Sequence, residues 1–291
     1  MKLIATDLDG TLLNENHQIS QENKEALLLA QEQGVEIMVA TGRSYDSARK
    51  PVEQAGLSCP ILCLNGAKVI DENGELFLSK PMEIDACKKI QQVCQEYGLY
   101  FEVFTNKGTF AYDREQFIQV MLKVGQLIFP DMTVEEMRQW AIKRFQDEEI
   151  SVMKDFSALF AETDIEVYKI LAFSLEEAAL ANVRDHFVEA NDIAITSSGE
   201  LNLEFNHSAA QKGFALEAFA ASKGIDMQDV MAIGDNYNDM TMLQMAGHGV
   251  AMGNADSAIK EVCNYVTKSN EENGVAYAIK DMLKSVPQKE G

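Results

Sequence analysis

Four short segments hold residue types that can do chemistry together. Asp7-Leu8-Asp9-Gly10-Thr11-Leu12 sets two carboxylates two residues apart, directly after an apolar run. Gly234-Asp235-Asn236-Tyr237-Asn238-Asp239 sets two more, four residues apart, after another. Thr41-Gly42-Arg43 follows a third apolar run, and Lys212 opens a helical pattern. Four carboxylates gathered in one place repel one another strongly unless a cation is present. Hard oxygen donors of this kind suit Mg²⁺, which shares its shell with waters and phosphate oxygens. A lysine at a helix start suits an anion, because the N–H groups there also point outward. Each segment also has an ordinary structural explanation. A D-x-D pair is common in loops, and Gly-Asp-Asn can be a turn with an Asx bond. Thr41-Gly42 can cap a helix, and Lys212 can be a solvated helix residue. Their joint occurrence at strand ends and one helix start favours a single site.

The surrounding elements must bring these segments together. Residues 2–7 read as a short buried strand ending at Asp7. Ser20 caps a helix to about Gln33, and Gly34 stops it. Residues 35–40 form a second strand, with Thr41 at its end, and a helix follows from about Tyr45 to Gln54. Strand, helix, strand, helix at this spacing predicts a parallel sheet with crossover helices. Asn65-Gly66 and Glu72-Asn73-Gly74 are hairpin signals, so residues 61–79 read as a short antiparallel meander. From Pro81 the rhythm changes to helices mixed with hairpins, with strand character at 99–105, 166–173, 192–197 and 201–205. After Asn206 the α/β rhythm returns, with a helix from Lys212, a strand over 230–234 and a further strand over 249–252. The predicted fold is α/β: a doubly wound parallel-sheet core from residues 1–81 and 208–291, with an inserted α+β cap over 82–207. In such sheets ligands bind outside the carboxyl ends of the strands, where all four segments fall.

Charge removes several classes of function. The 291 residues include 25 Lys and Arg against 46 Asp and Glu, a net charge of −21, and no basic run is present to neutralise nucleic-acid phosphates. An anionic membrane surface would repel the chain. No apolar run approaches the roughly 18 residues that span a bilayer, and Asp7 and Asp9 come too early for a signal peptide. A cytoplasmic protein is expected, with no nucleic-acid or membrane partner. Cys59, Cys63, Cys87, Cys94 and Cys263 form no metal-ligand spacing and read as reduced thiols. The four His show no ligand spacing either; His207 reads as structural or surface. Met240, Met242 and Met245 read as core filler.

Asp7-Leu8-Asp9-Gly10-Thr11, Thr41 after its strand, Lys212-Gly213 and Gly234-Asp235-Asn236-Tyr237-Asn238-Asp239 resemble the four motifs of the haloacid dehalogenase superfamily. Ala40-Thr41-Gly42-Arg43, Leu64-Asn65-Gly66-Ala67, Val250-Ala251-Met252-Gly253-Asn254-Ala255 and Asn270-Glu271-Glu272-Asn273-Gly274-Val275-Ala276 narrow the resemblance to its Cof-type subfamily. Within that subfamily the chain is similar to broad-specificity sugar phosphatases. The motifs cover both core segments, and the cap matches mainly in size and position. Ser208-Ala209-Ala210-Gln211 departs from the family, where many members have a Gly and a β-branched residue before the lysine.

The resemblance implies a Mg²⁺-dependent phosphatase acting on a small phosphorylated metabolite. Asp7 would be the nucleophile, forming an aspartyl-phosphate. Asp9 would be the general acid and base, which an alkoxide leaving group requires. Mg²⁺ would be held by the Asp7 side chain, the Asp9 backbone carbonyl and Asp235, with Asp239 orienting the shell and Asn236 a further possible contact. The Leu8 and Gly42 amides, Thr41, Asn238 and Lys212 would hold the phosphoryl oxygens. The cap would read the rest of the substrate. A phosphomutase and a non-catalytic phosphate-ligand sensor are the alternatives. The large insert disfavours the first, and the intact carboxylate set the second. Sequence leaves the physiological substrate and the oligomeric state open.

Overall fold

The computed structural model describes residues 1–128, 132–198 and 201–285. Five strands come first: β1 (Leu3–Asp7), β2 (Glu36–Ala40), β3 (Ile61–Cys63), β4 (Lys68–Ile70) and β5 (Leu76–Ser79). Six follow: β6 (Tyr100–Thr105), β7 (Gly108–Ala111), β8 (Ser151–Val152), β9 (Val167–Phe173), β10 (Ile193–Thr196) and β11 (Asn202–His207). The last three are β12 (Val230–Gly234), β13 (His248–Ala251) and β14 (Tyr265–Val266). The chain divides into two compact units, one of Met1–Ser79 with Ala210–Gly291, the other of Lys80–Ala209.

The first unit is a doubly wound α/β sheet in the order β14-β13-β12-β1-β2-β3-β4-β5. From β14 to β3 every pairing is parallel, while β3, β4 and β5 form the antiparallel meander. β1 is buried throughout, as a central strand covered on both faces requires. Its side chains alternate between two cores. Ile4 joins Ile37, Val39, Ile233 and Val250 on one face. Leu3 and Ala5 join Met38, Ala232, Leu216 and Phe219 on the other. From β1 the chain continues to β2 on one side, and much later to β12 on the other. Strand order therefore reverses at β1, and the crevice lies beyond the carboxyl ends of β1 and β12. The helix Gln21–Glu32 begins at Ser20, whose Oγ accepts from the Asn23 N–H at 3.2 Å. The helix Tyr45–Gln54 is capped by Ser44 rather than by Thr41-Gly42. Asn65-Gly66 is not a simple hairpin turn. Leu64–Gly66 is a tight helical turn with Leu64 and Asn65 at positive φ, and an added Cβ on Gly66 would lie 2.6 Å from the Gln211 carbonyl oxygen.

The second unit is α+β, a six-stranded sheet in the order β10-β11-β9-β6-β7-β8, antiparallel except for β7 with β8. Phe101, Val103, Val167, Ile170, Leu203 and Phe205 build its main core with the helices Ile84–Glu96, Phe156–Phe160 and Glu177–His186. Glu102, Lys169, Glu204 and Asn206 are buried polar residues of its central strands. Among the described residues no helix is long and apolar enough to cross a membrane.

Candidate active site

The carboxyl end of β1 delivers Asp7, and the loop Leu8–Leu12 turns away from it through Gly10 at φ 74°. β12 ends at Gly234 and delivers Asp235. The turn Tyr237–Asp239 then carries Asp239 back toward the sheet, where an added Cβ on Gly234 would sit 2.6 Å from the Asp239 carboxyl carbon. Lys212 opens the helix Lys212–Ser222. These three elements converge on one ammonium group. Lys212 Nζ donates to Asp7 Oδ1 at 2.7 Å and to Asp239 Oδ1 at 2.6 Å. Lys212 and Asp239 are fully buried, and Asp7 is 5% exposed. The solvated-helix alternative for Lys212 is thereby overturned.

Asp239 has both oxygens engaged. Its Oδ2 accepts from the Asp235 and Asn236 backbone N–H groups at 3.0 and 3.1 Å, which shapes the turn that presents Asp235. Asp235 Oδ1 accepts from the Thr11 hydroxyl at 2.7 Å. Gly10 lies so close to Asp235 that an added Cβ would be 2.5 Å from Oδ2. Asp7, Asp235 and Asp239 offer carboxylate oxygens within 4.8 Å of one another, a group that could hold a metal ion. Burial, then the charge of Asp239, raises the Asp7 carboxyl well above the ordinary range, against the opposing pull of Lys212. The same two causes push Asp235 up to about 7. Burial acts to discharge Lys212, but its two carboxylate partners prevail and hold its pKa above the usual lysine range. Three carboxylates around one ammonium leave an excess negative charge, which a divalent cation would balance.

The other expected site residues lie at the same sheet edge. Thr41 follows β2, is buried, and its Oγ1 accepts from the Arg43 N–H at 3.2 Å, with Gly42 between them. Leu8 follows Asp7 with its side chain in the core. Asn238 Nδ2 donates to Asn65 Oδ1 at 3.3 Å. Asp9 is turned to Arg43, which donates to both its oxygens, from Nε at 2.7 Å and from a terminal nitrogen. Sequence reasoning quoted Arg43 and Asn65 without assigning them a role. Arg43 could have been found from its place beside Thr41-Gly42, at the end of the strand next to the two carboxylates. Nothing local in the sequence points Asn65 at Asn238.

The thiols of the four buried cysteines are pushed up to about 12 by burial, so Cys59, Cys63, Cys87 and Cys94 stay protonated at neutral pH and offer no nucleophile. His207 Nδ1 accepts from the Ala209 N–H at 3.0 Å, a local structural role.

The family model for haloacid dehalogenase-like hydrolases matches residues 4–279. The chain belongs to that family. Among curated haloacid dehalogenase-like relatives, phosphatase YwpJ of Bacillus subtilis is 35% identical over 97% of this chain and 100% of its own length. The 5-amino-6-(5-phospho-D-ribitylamino)uracil phosphatase YwtE of the same organism is 34% identical over 97% of this chain and 98% of its own. A solved haloacid dehalogenase-like hydrolase from B. subtilis superposes with a TM-score of 0.88 at 34% identity, covering 96% of this chain and 99% of that one. The chain is accordingly a phosphatase of the haloacid dehalogenase-like class.

Proposed function

We propose that this phosphatase is Mg²⁺-dependent and hydrolyses small cytoplasmic phosphomonoesters, of the sugar- or polyol-phosphate kind, through an aspartyl-phosphate on Asp7. The observation that carries the proposal is the buried Asp7–Lys212–Asp239 array beside Asp235. It aims one carboxylate from the end of β1 and leaves its surroundings short of positive charge. The donor set is all oxygen, which fits Mg²⁺. Asp7 and Asp235 would hold the ion with the Asp9 carbonyl. Asp239, whose two oxygens are already committed to Lys212 and backbone N–H groups, would position rather than ligate. When bound, the ion neutralises enough carboxylate charge for an anionic phosphate to approach.

An Asp7 carboxylate oxygen attacks phosphorus, the P–O bond to the substrate breaks, and the departing alkoxide takes the Asp9 proton. Water then attacks the phosphorus of the acyl phosphate while Asp9 takes a proton from it, releasing inorganic phosphate and restoring Asp7. Thr41, the Leu8 and Gly42 amides, Asn238 and Lys212 would hold the phosphoryl oxygens. Asp9 must leave Arg43 to act. Its side chain is 49% exposed, so water can replace the guanidinium at the freed carboxylate. Phosphate release from a panel of phosphorylated metabolites, with Mg²⁺ and with EDTA, tests the proposal. Turnover of sugar or polyol phosphates in Mg²⁺ alone is expected; no release from any phosphomonoester in Mg²⁺ would refute it. Specificity for the remainder of the substrate is assigned to the second unit, through exposed polar side chains suited to hydroxyl-rich substrates.

Asp9→Asn separates the two chemical roles. The attacking carboxylate remains, but an alkoxide can no longer be protonated as it leaves. Hydrolysis of sugar phosphates should fall by about 10²–10⁴-fold. With p-nitrophenyl phosphate, whose leaving group needs little protonation, the first step should suffer far less and the phosphorylated enzyme should accumulate. Equal losses in the first step for both substrates, by rapid-quench kinetics, would count against Asp9 as the acid.

The raised Asp235 carboxyl has a thermodynamic consequence. An ordinary aspartate ionises near 3.8, whereas burial and the charge of Asp239 push Asp235 up to about 7. Between those values the folded chain binds a proton that the unfolded chain does not. The stabilising preference for the protonated form is complete below the lower value and is lost as pH rises through the upper one. In EDTA the thermal midpoint should therefore fall as pH rises toward 8, and Mg²⁺ should offset part of the fall. Asp7, raised by the same two causes, adds to the slope, so Asp235→Asn should make the EDTA profile shallower without abolishing it; an unchanged slope in that variant would put the effect elsewhere.

A further inference from the structure

The loop after β1 is gripped from the far end of the chain. It passes through two non-helical residues, Asp9 at φ −81°, ψ 126° and Gly10 at φ 74°, ψ 0°. The Gly10 carbonyl accepts from Asn254 Nδ2 at 2.8 Å. Asn254 Oδ1 in turn accepts from the Asn270 backbone N–H at 3.0 Å, and Asn270 Nδ2 donates to the Leu13 carbonyl at 3.0 Å. Two asparagines, one after β13 and one in the turn Asn270–Glu272, thus hold two carbonyls of the loop and brace each other. The grip bears on the site directly. The peptide unit that carries the Gly10 carbonyl also begins Thr11, whose hydroxyl donates to Asp235 Oδ1, and Gly10 itself lies against Asp235 Oδ2.

We propose that Asn254, braced by Asn270, is a positioning residue for catalysis. By fixing the plane of the Gly10–Thr11 peptide it aims Thr11 at Asp235 and sets the backbone from which Asp9 projects. A glycine at positive φ has little steric preference of its own, so this plane needs an external hold. Because Asn254 is exposed, its side chain fills no core, and its role rests on the hydrogen bonds. The inference depends on the assignment of Asp7 and Asp9 made under Proposed function.

The test uses the full chain with Asn254→Ala, Asn270→Ala and the double variant. Four quantities are read: kcat and KM for p-nitrophenyl phosphate, the Mg²⁺ Kd by calorimetry, and the thermal midpoint. Asn254→Ala should lower kcat by about 10-fold or more and weaken Mg²⁺ binding, with KM changed by no more than about twofold. The double variant should be little worse than Asn254→Ala, because the two residues act as one unit. Wild-type kcat and Mg²⁺ affinity in Asn254→Ala, with only the midpoint lowered, would show a structural tie and overturn the proposal, as would losses that multiply in the double variant. Should Asn270→Ala fail to fold, Asn254→Ala alone decides. Asp7→Asn in the same assay separates the two ideas: if it is inert while Asn254→Ala is normal, only the positioning role falls; if it is active, the assignment beneath it falls.

Discussion

Purified Asp7→Asn should release phosphate at least about 10³-fold more slowly than the natural chain, about 4 kcal/mol in the barrier, while folding as well or better. The amide is nearly the same size and its oxygen can still accept from Lys212, but it is a poor nucleophile and a poor metal ligand. The stability side follows from the same environment. Asp7 is 5% exposed and faces the charges of Asp239 and Asp235 as well as Lys212. Removing its charge relieves a repulsion that burial amplifies, so the thermal midpoint in EDTA should hold or rise. Activity lost with stability kept is the pattern of a strained functional residue, not of a broken core. Near-normal phosphate release by Asp7→Asn would remove it as the nucleophile. A large fall in midpoint would mean that the carboxylate holds the fold together, and would leave the loss of turnover uninformative about chemistry.

The parts of this site that sequence made legible are those set by local rules. An apolar run ending in Asp7, a second ending at Gly234, and a helical pattern opening at Lys212 are each readable from propensity and period, and the structure has strands ending at Asp7 and Gly234 and a helix beginning at Lys212. Open α/β topology then brings the strand ends to one edge. The illegible parts depend on contacts between segments far apart in the chain. The Asn270–Leu13 bond crosses 257 positions and the Asn254–Gly10 bond 244, and neither asparagine differs locally from a turn residue. From local rules Asn65 reads as a hairpin signal, whereas in the structure it sits at φ 61° in a tight turn whose next residue, Gly66, lies against the Gln211 carbonyl. The position of the Asp9 carboxylate was hidden for another reason. It depends on the Arg43 rotamer, and a flexible side chain at a strand end has no sequence signature of direction. Backbone topology was thus readable, while the side-chain bonds that tune the site were not.

Lys212→Met should be the most disruptive single change, and in a different manner from Asp7→Asn. Methionine replaces the stem of the lysine at similar volume, so packing is largely kept and the missing ammonium is isolated as the cause. That ammonium is fully buried and joins Asp7 to Asp239. Without it two buried carboxylates face each other unpaired. Breaking a buried ion pair by removing one partner costs about 3–5 kcal/mol. The chain can limit that loss by protonating a carboxyl, and Asp7 is already raised by burial and by Asp239. Protonation removes the nucleophile, so turnover should vanish together with stability. Asp239 keeps its bonds to the Asp235 and Asn236 N–H groups, so the turn that presents Asp235 should persist in the molecules that fold. Mg²⁺ binds the folded state only and should raise the variant's midpoint more than it raises that of the natural chain, since it then supplies the positive charge that the lost ammonium gave to Asp7 and Asp239. Calorimetric scans with Mg²⁺ and with EDTA, beside phosphate release, decide the matter. A variant as stable as the natural chain in EDTA would mean that Lys212 is not what neutralises the cluster. A stable variant with normal turnover would remove Lys212 from phosphate binding as well.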